Sequence, residues 1–88
     1  MTLNSDYILH SIADEHIVVP IGEAADQMHG IITLNETGAS LWKKLESGDC
    51  SESDLVDVLL GEFSVTREQA TADVKNFVAH LTKIGCIK

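Results

Sequence analysis

The stretch from Gly30 to Trp42 constrains the fold more than any other part of this chain. A β-branched run ends at Leu34, and the next residue, Asn35, is of a type that begins helices by capping the first turn. The apolar residues that follow recur at helical spacing; they are Leu41, Trp42 and Leu45. We therefore expect a strand that passes directly into a helix, with Trp42 in the core.

Two further helices are indicated by capping signals downstream. Ser51 with Asp54 resembles a capping box, and Thr66 with Gln69 resembles another. The last helix should end at Gly85, a residue type common just past helix C-termini. The expected apolar stripes are Leu55, Val56, Leu59, Leu60 and Phe63 in the second helix, and Ala70, Val74, Phe77, Val78, Leu81 and Ile84 in the third.

The N-terminal part of the chain is typical of a small antiparallel sheet. Tyr7–Ile12 and His16–Val19 are rich in β-forming residues and flank a turn at Ala13–Glu15, and Gly30–Leu34 is the third strand. Three strands are too few to be stable alone and must pack on the helices. The predicted fold is therefore α+β and winged helix-turn-helix-like, a three-stranded antiparallel sheet followed by three helices in a single domain over residues 1–88.

The charge distribution argues against the DNA-binding function that such an outline suggests. The net charge is −8, and residues 1–42 contain six acidic residues but no Lys or Arg. Affinity for nucleic acid depends on basic residues that neutralise phosphates. We therefore expect no nucleic-acid partner. We also expect a cytoplasmic protein without membrane contact, because the sequence has neither a bilayer-spanning apolar run nor a secretory signal.

Signals for catalysis or metal binding are missing from the sequence. His10, His16, His29 and His80 lack the spacing of a helical zinc pair, and no nucleophile or phosphate-binding motif occurs. The acids around Cys50 disfavour a reactive thiolate. We expect both Cys50 and Cys86 to be free, partly buried thiols, although a disulfide stays open. The expectation is thus a protein that is not an enzyme and has no cofactor or metal.

The third strand suggests a binding function instead. If the sheet order follows the chain, Gly30–Leu34 lies at an edge, where unpaired backbone groups attract another strand. It contains no Lys or Pro that would block the edge, so a peptide could extend the sheet by β-augmentation. Alternatively, the third helix or a second copy of the chain covers it. We expect Ile32→Pro to remove a backbone donor and weaken peptide binding.

The sequence resembles the PqqD family, the stand-alone peptide-recognition domains of clusters that make ribosomal, post-translationally modified peptides. The resemblance extends from about Tyr7 to Lys88 and rests on Gly30, Leu34, Asn35, Gly38 and Trp42. It implies a non-catalytic chaperone that binds a precursor's leader peptide and presents it to a modifying enzyme, such as a radical-SAM protein or a leader peptidase. The peptide-binding residues that it implies are Gly30, Ile31, Ile32, Thr33 and Leu34 of the strand, and Ala70, Asp73, Val74 and Phe77 of the third helix.

Several alternatives remain open at this point. Arg67 and Lys75 could meet acids in a leader, whereas the acidic sheet would favour a leader with basic residues. A structural subunit, or a homodimer whose edge strands pair, would need no peptide. A winged-helix DNA-binding regulator would require salt-sensitive duplex binding, which the net charge disfavours.

Overall fold

Three strands precede three helices in the computed structural model, which describes residues 1–22, 25 and 32–88. The strands are β1 (Tyr7–Ile12), β2 (Glu15–Pro20) and β3 (Ile32–Leu34), and they form one antiparallel sheet in the order β1-β2-β3. The helices are α1 (Glu36–Glu46), α2 (Glu52–Glu62) and α3 (Arg67–Ile84). The predicted α+β fold is confirmed, and Gly30 and Ile31 of the predicted third strand lie outside the described residues.

The β1–β2 hairpin is tighter than the sequence suggested. Only Ala13 and Asp14 form its turn, while Glu15, predicted in the turn, pairs with Ile12 as part of β2. Ala13 has a φ of 54°, a left-handed conformation that two-residue hairpin loops require. Such a positive φ in an alanine is uncommon, which is why the residue types around the turn predicted a longer connection.

The helix boundaries follow the capping signals closely. The Asn35 side chain accepts a hydrogen bond from the Gly38 N–H at 2.8 Å and so begins α1. Ser51 and Asp54 bond reciprocally at the start of α2, as a capping box requires. Gly85 ends α3 with a φ of 104°, a conformation that side-chain-bearing residues rarely adopt. None of these three helices is long and apolar enough to cross a membrane.

The core lies between one face of the sheet and the apolar stripes of the helices. Its largest fully buried side chains are Trp42, Leu41, Leu55, Leu59, Leu81, Val18, Val74 and Cys86. The prediction that Trp42 belongs to the core is confirmed. Leu60 and Phe63 of the predicted α2 stripe, and Phe77 on α3, are only partly buried at the margin of this cluster.

The N-terminal segment closes the core by pairing with the C-terminal residues. Leu3 bridges Ile87, the Asn4 N–H donates to the Cys86 carbonyl at 2.7 Å, and the Lys88 N–H donates to the Thr2 carbonyl at 2.9 Å. Cys50 and Cys86 are both free and buried, more deeply than the sequence suggested. Residues far apart in sequence therefore cover the end of α3 together.

Candidate functional site

The backbone direction along β2 decides which groups of β3 face the open edge. In an antiparallel ladder, the N–H and C=O of successive residues point alternately to the two neighbouring strands. The Ile12–Glu15 pair closes a two-residue hairpin, so the Glu15 backbone faces β1. Because the direction alternates, the backbone groups of Ile17, Val19 and Ile21 also face β1. The Ile21 N–H donates to the Asp6 carbonyl at 2.6 Å, in agreement with this assignment.

This alternation directs the Thr33 backbone away from the sheet. His16 and Val18 of β2 face β3, where their partners are Leu34 and Ile32, so these two β3 residues form the inward ladder bonds. Thr33 lies between them and directs its N–H and C=O to the side of β3 that faces away from β2. Within the described residues β3 pairs with β2 alone, so no described strand bonds to these outward groups of Thr33.

A cleft of about 210 Å³ lies directly after β3, between the first turns of α1 and the middle of α3. Its lining residues are Asn35, Thr37, Gly38, Leu41, Asp73, Asn76 and Phe77. The four from α1 and its cap follow β3 without a loop. A chain segment that lay along the β3 edge would therefore reach this cleft.

The α1 side of the cleft is fixed by hydrogen bonds. The Asn35 Oδ1 atom accepts from the Gly38 N–H at 2.8 Å and from the Thr37 hydroxyl at 2.9 Å. Gly38 allows this close approach, because a Cβ at that position would lie 3.1 Å from Asn35 Oδ1 and 3.4 Å from Leu34 Cβ. This wall of the cleft is therefore preformed and has little room to rearrange.

The α3 side of the cleft combines a charge with an apolar surface. Asp73 is exposed and has no hydrogen-bond or ion-pair partner among the described residues. Phe77 follows one helical turn later and is partly buried, with the buried Leu41 across the cleft. The cleft thus offers one carboxylate, the Asn76 amide and an aromatic surface to a ligand.

His16 fastens the sheet to α1 behind this site. Its imidazole lies 2.8 Å from the Ser11 hydroxyl through Nδ1 and 3.1 Å from the Glu36 carboxylate through Nε2. His16 is buried. Its inward position follows from the alternation of side chains along β2, where His16, Val18 and Pro20 share the core-facing side.

The predicted site residues divide into three groups. Asp73 and Phe77 line the cleft, whereas Ala70 and Val74 are completely buried in the core. The face of α3 that carries Ala70 and Val74 packs inward, so these two residues do not line the cleft in this structure. Of the strand residues, Ile32, Thr33 and Leu34 form β3, with the Leu34 side chain in the core, and Gly30 and Ile31 lie outside the described residues.

The sequence did not predict that residues of α1 and its cap line the cleft. Asn35 and Gly38 were recognised as a cap and as family signature residues, but not as cleft walls. The available signal was the cap that follows the edge strand directly, since this places the first turn of α1 beside the strand end.

The cysteines supply no nucleophile to this site. Burial raises the pKa of the Cys86 thiol to about 11. Burial also raises the pKa of Cys50, and the nearby Asp54 carboxylate adds to this effect. Both thiols stay protonated near neutral pH and lie away from the cleft-lining residues.

Among the described residues, a small α+β domain presents a sheet edge without a partner strand beside a cleft lined by two helices. The chain belongs to the PqqD family, because the family model described as coenzyme PQQ synthesis protein D (PqqD) matches residues 15–87. The comparison with curated proteins gives no significant match.

Two solved structures share the fold over nearly their whole length. One is described as TbiB1 in complex with the TbiA(beta) leader peptide; it is 23% identical, with a TM-score of 0.81, over 100% of this chain and 95% of that one. The other is lasso peptide synthetase B1 complexed with the leader peptide; it is 22% identical, with a TM-score of 0.76, over 98% of this chain and 94% of that one.

Proposed function

We propose that this protein binds the leader segment of a ribosomally made precursor peptide and presents it to a modifying enzyme. The observation that carries the proposal is the outward-facing backbone of Thr33 beside a preformed cleft. Membership of the PqqD family supports it, as do the leader peptides bound in the two structures that share the fold.

Binding starts at the sheet edge in this proposal. The leader adds a strand to β3, and its backbone exchanges hydrogen bonds with the N–H and C=O of Thr33. Neither Lys nor Pro occurs in β3 to oppose this pairing. The main-chain bonds supply affinity without selecting a sequence, so recognition needs a second element.

The cleft supplies that second element. A leader residue beyond the paired strand enters between α1 and α3, where it meets Asp73, Asn76 and Phe77. Ala70 and Val74 support these residues from the core and do not contact the peptide. Gly30 and Ile31 remain part of the proposed edge on the strength of the family resemblance alone.

The protein acts as a carrier in this proposal, with the chemistry left to a partner such as a radical-SAM enzyme or a leader peptidase. Asp73 has no His, Lys or Cys beside it among the described residues that line the cleft, and the Thr37 hydroxyl there is bonded to Asn35 Oδ1. Binding the leader tightly and the enzyme transiently would deliver the precursor without a catalytic step here.

Because the backbone of Ile32 faces β2 and that of Thr33 faces outward, the substitution that tests this proposal belongs at Thr33. Ile32→Pro, suggested by the sequence, would remove an inward bond to β2 and damage the fold. Thr33→Pro removes the outward donor instead, at an edge position where proline is tolerated. We expect Thr33→Pro to fold and to weaken leader binding about tenfold or more, since a backbone bond and the space for the added strand are both lost.

Fluorescence polarisation with labelled leader segments from precursor peptides encoded beside this gene measures the effect. Circular dichroism confirms that each variant is folded, and Ser51→Ala, at the cap of α2 and outside the cleft, is the matched control that should bind normally. Amide hydrogen exchange of wild-type Thr33 gives a second readout, because an added strand should slow it. Unchanged peptide affinity in folded Thr33→Pro, together with unchanged amide exchange of wild-type Thr33, would contradict β-augmentation at β3.

A measured molecular mass near twice that of the monomer, without peptide binding, would favour the homodimer.

A further inference from the structure

We infer that the peptide accepted by this protein carries a basic residue whose side chain enters the cleft and pairs with Asp73. This inference rests on the proposed function and names the chemical class of its ligand. Of the seven described residues that line the cleft, Asp73 is the only one with an acidic or basic side chain. It therefore sets the sign of the charge that a bound side chain can carry.

The spacing of Asp73 and Phe77 suits a long cationic side chain. Residues four apart lie on the same face of a helix, so the carboxylate and the aromatic ring stand one turn apart on one wall. The aliphatic stem of Lys or Arg can pack on Phe77 while its head reaches Asp73. Arg fits best, since its planar group both stacks on aromatic rings and bonds carboxylates in pairs.

Asp73 is also free to accept such a partner. No hydrogen bond or ion pair joins it to another described residue, so a ligand would not have to displace an internal contact. Phe77 and the buried Leu41 give the cleft an apolar surface beside Asp73. A ligand side chain that packs on this surface would exclude water from its own contact with the carboxylate, and the loss of water strengthens an ion pair relative to one on an open surface.

The surrounding charges agree with a basic ligand. Residues 1–42, which include the whole sheet and the start of α1, have no Lys or Arg. The basic residues of α3 nearest in sequence, Arg67 and Lys75, line a separate depression with Glu68, Thr71 and Ala72. The positive end of the α1 dipole is offset by Glu36 in its first turn. A cation that approaches the cleft thus meets no basic side chain among its lining residues.

Selection from a phage-displayed library of random peptides tests this inference and does not require the sequence of the leader. The targets are the wild-type protein, Asp73→Asn and Asp57→Asn. The last is the matched control, because it makes the same change on α2, outside the cleft. We expect Lys or Arg to be enriched at one position of the peptides selected by wild type and Asp57→Asn, and this enrichment to vanish with Asp73→Asn.

A double-mutant cycle then measures the contact directly. A selected peptide and its version with the enriched basic residue replaced by Gln are titrated against wild type and Asp73→Asn. We expect the replacement to weaken binding to wild type about three- to tenfold and to change binding to Asp73→Asn little. The difference should shrink at higher salt, because screening weakens partly exposed ion pairs.

The outcomes separate this inference from the function on which it rests. Peptides that lose affinity for Thr33→Pro but show neither basic enrichment nor coupling to Asp73 would overturn the inference and leave edge binding intact. Enrichment of acidic residues would overturn it in favour of Arg67 and Lys75. Failure to select any peptide that depends on Thr33 would overturn the proposed function, and this inference with it.

Discussion

At the scale of single residues, Asn35 links the stability of the fold to the shape of the site. Its side chain caps α1 through the Gly38 N–H and also holds the Thr37 hydroxyl, so that three cleft-lining residues are connected by one oxygen. Asn35 caps α1 and lines the cleft, whereas Ser51 caps α2 outside the cleft. Substitution of each cap therefore separates the effect on folding from the effect on the site.

We expect Asn35→Ala and Ser51→Ala each to lower the free energy of unfolding by about 1 kcal/mol, the usual cost of a lost N-cap. Only Asn35→Ala should also weaken peptide binding, because it releases the first turn of α1. Urea denaturation and peptide titration of the two variants provide the measurements. Equal peptide affinities in the two variants would show that the cap has no role in the site beyond folding.

At the scale of secondary-structure elements, the sheet has two faces with different roles. Val18 of β2 is completely buried against the helices, whereas Ile12 of β1 is 68% exposed and Ile8 is 38% exposed on the opposite face. Both faces carry β-branched residues, so composition alone does not distinguish them. The pairing register does, because it fixes which side chains point toward the helices.

A pair of threonine substitutions tests this assignment of faces. Val18→Thr places a hydroxyl in the core without a ready partner and should cost about 1–3 kcal/mol of unfolding free energy. Ile12→Thr keeps a β-branched side chain at an exposed position and should change stability by less than about 0.5 kcal/mol. Thermal and urea unfolding measure the stability of the two variants. Similar losses of unfolding free energy would mean that the outer face of the sheet is covered in solution.

At the scale of the whole molecule, the N-terminal and C-terminal segments close the core together. The bonds from Asn4 to Cys86 and from Lys88 to Thr2 join segments from opposite ends of the sequence. The Cys86 side chain, which belongs to the C-terminal one of these segments, is completely buried. The resulting loss of water raises the pKa of this thiol from its ordinary 9.0 to about 11.

This raised pKa predicts a loss of stability in alkaline solution. Between about pH 9 and pH 11 the unfolded chain releases the Cys86 proton while the folded protein retains it, so the free energy of unfolding falls as pH rises. Below pH 9 both states keep the proton and the contribution is constant. Urea unfolding across this range should show a steeper fall for wild type than for Cys86→Ala, and parallel curves would contradict the shift.

Local signals in the chain were sufficient to predict the secondary-structure elements and their order. Capping side chains act within a few residues, and so Asn35, Ser51, Thr66 and Gly85 marked the helix ends without help from the rest of the chain. The same local signals, with the β-branched runs, were enough to predict three strands before three helices. They also carried the family resemblance that the comparison then confirmed.

The set of residues that forms the candidate site depends on packing between distant parts of the chain. The family resemblance assigned Ala70, Asp73, Val74 and Phe77 to one peptide-binding face of α3, but only packing in the core turned Ala70 and Val74 inward and left Asp73 exposed. The outward backbone of Thr33 depends on a two-residue hairpin whose left-handed Ala13 no propensity favours. Strand register and side-chain burial depend on contacts between residues far apart in the chain, so no local sequence pattern predicts them.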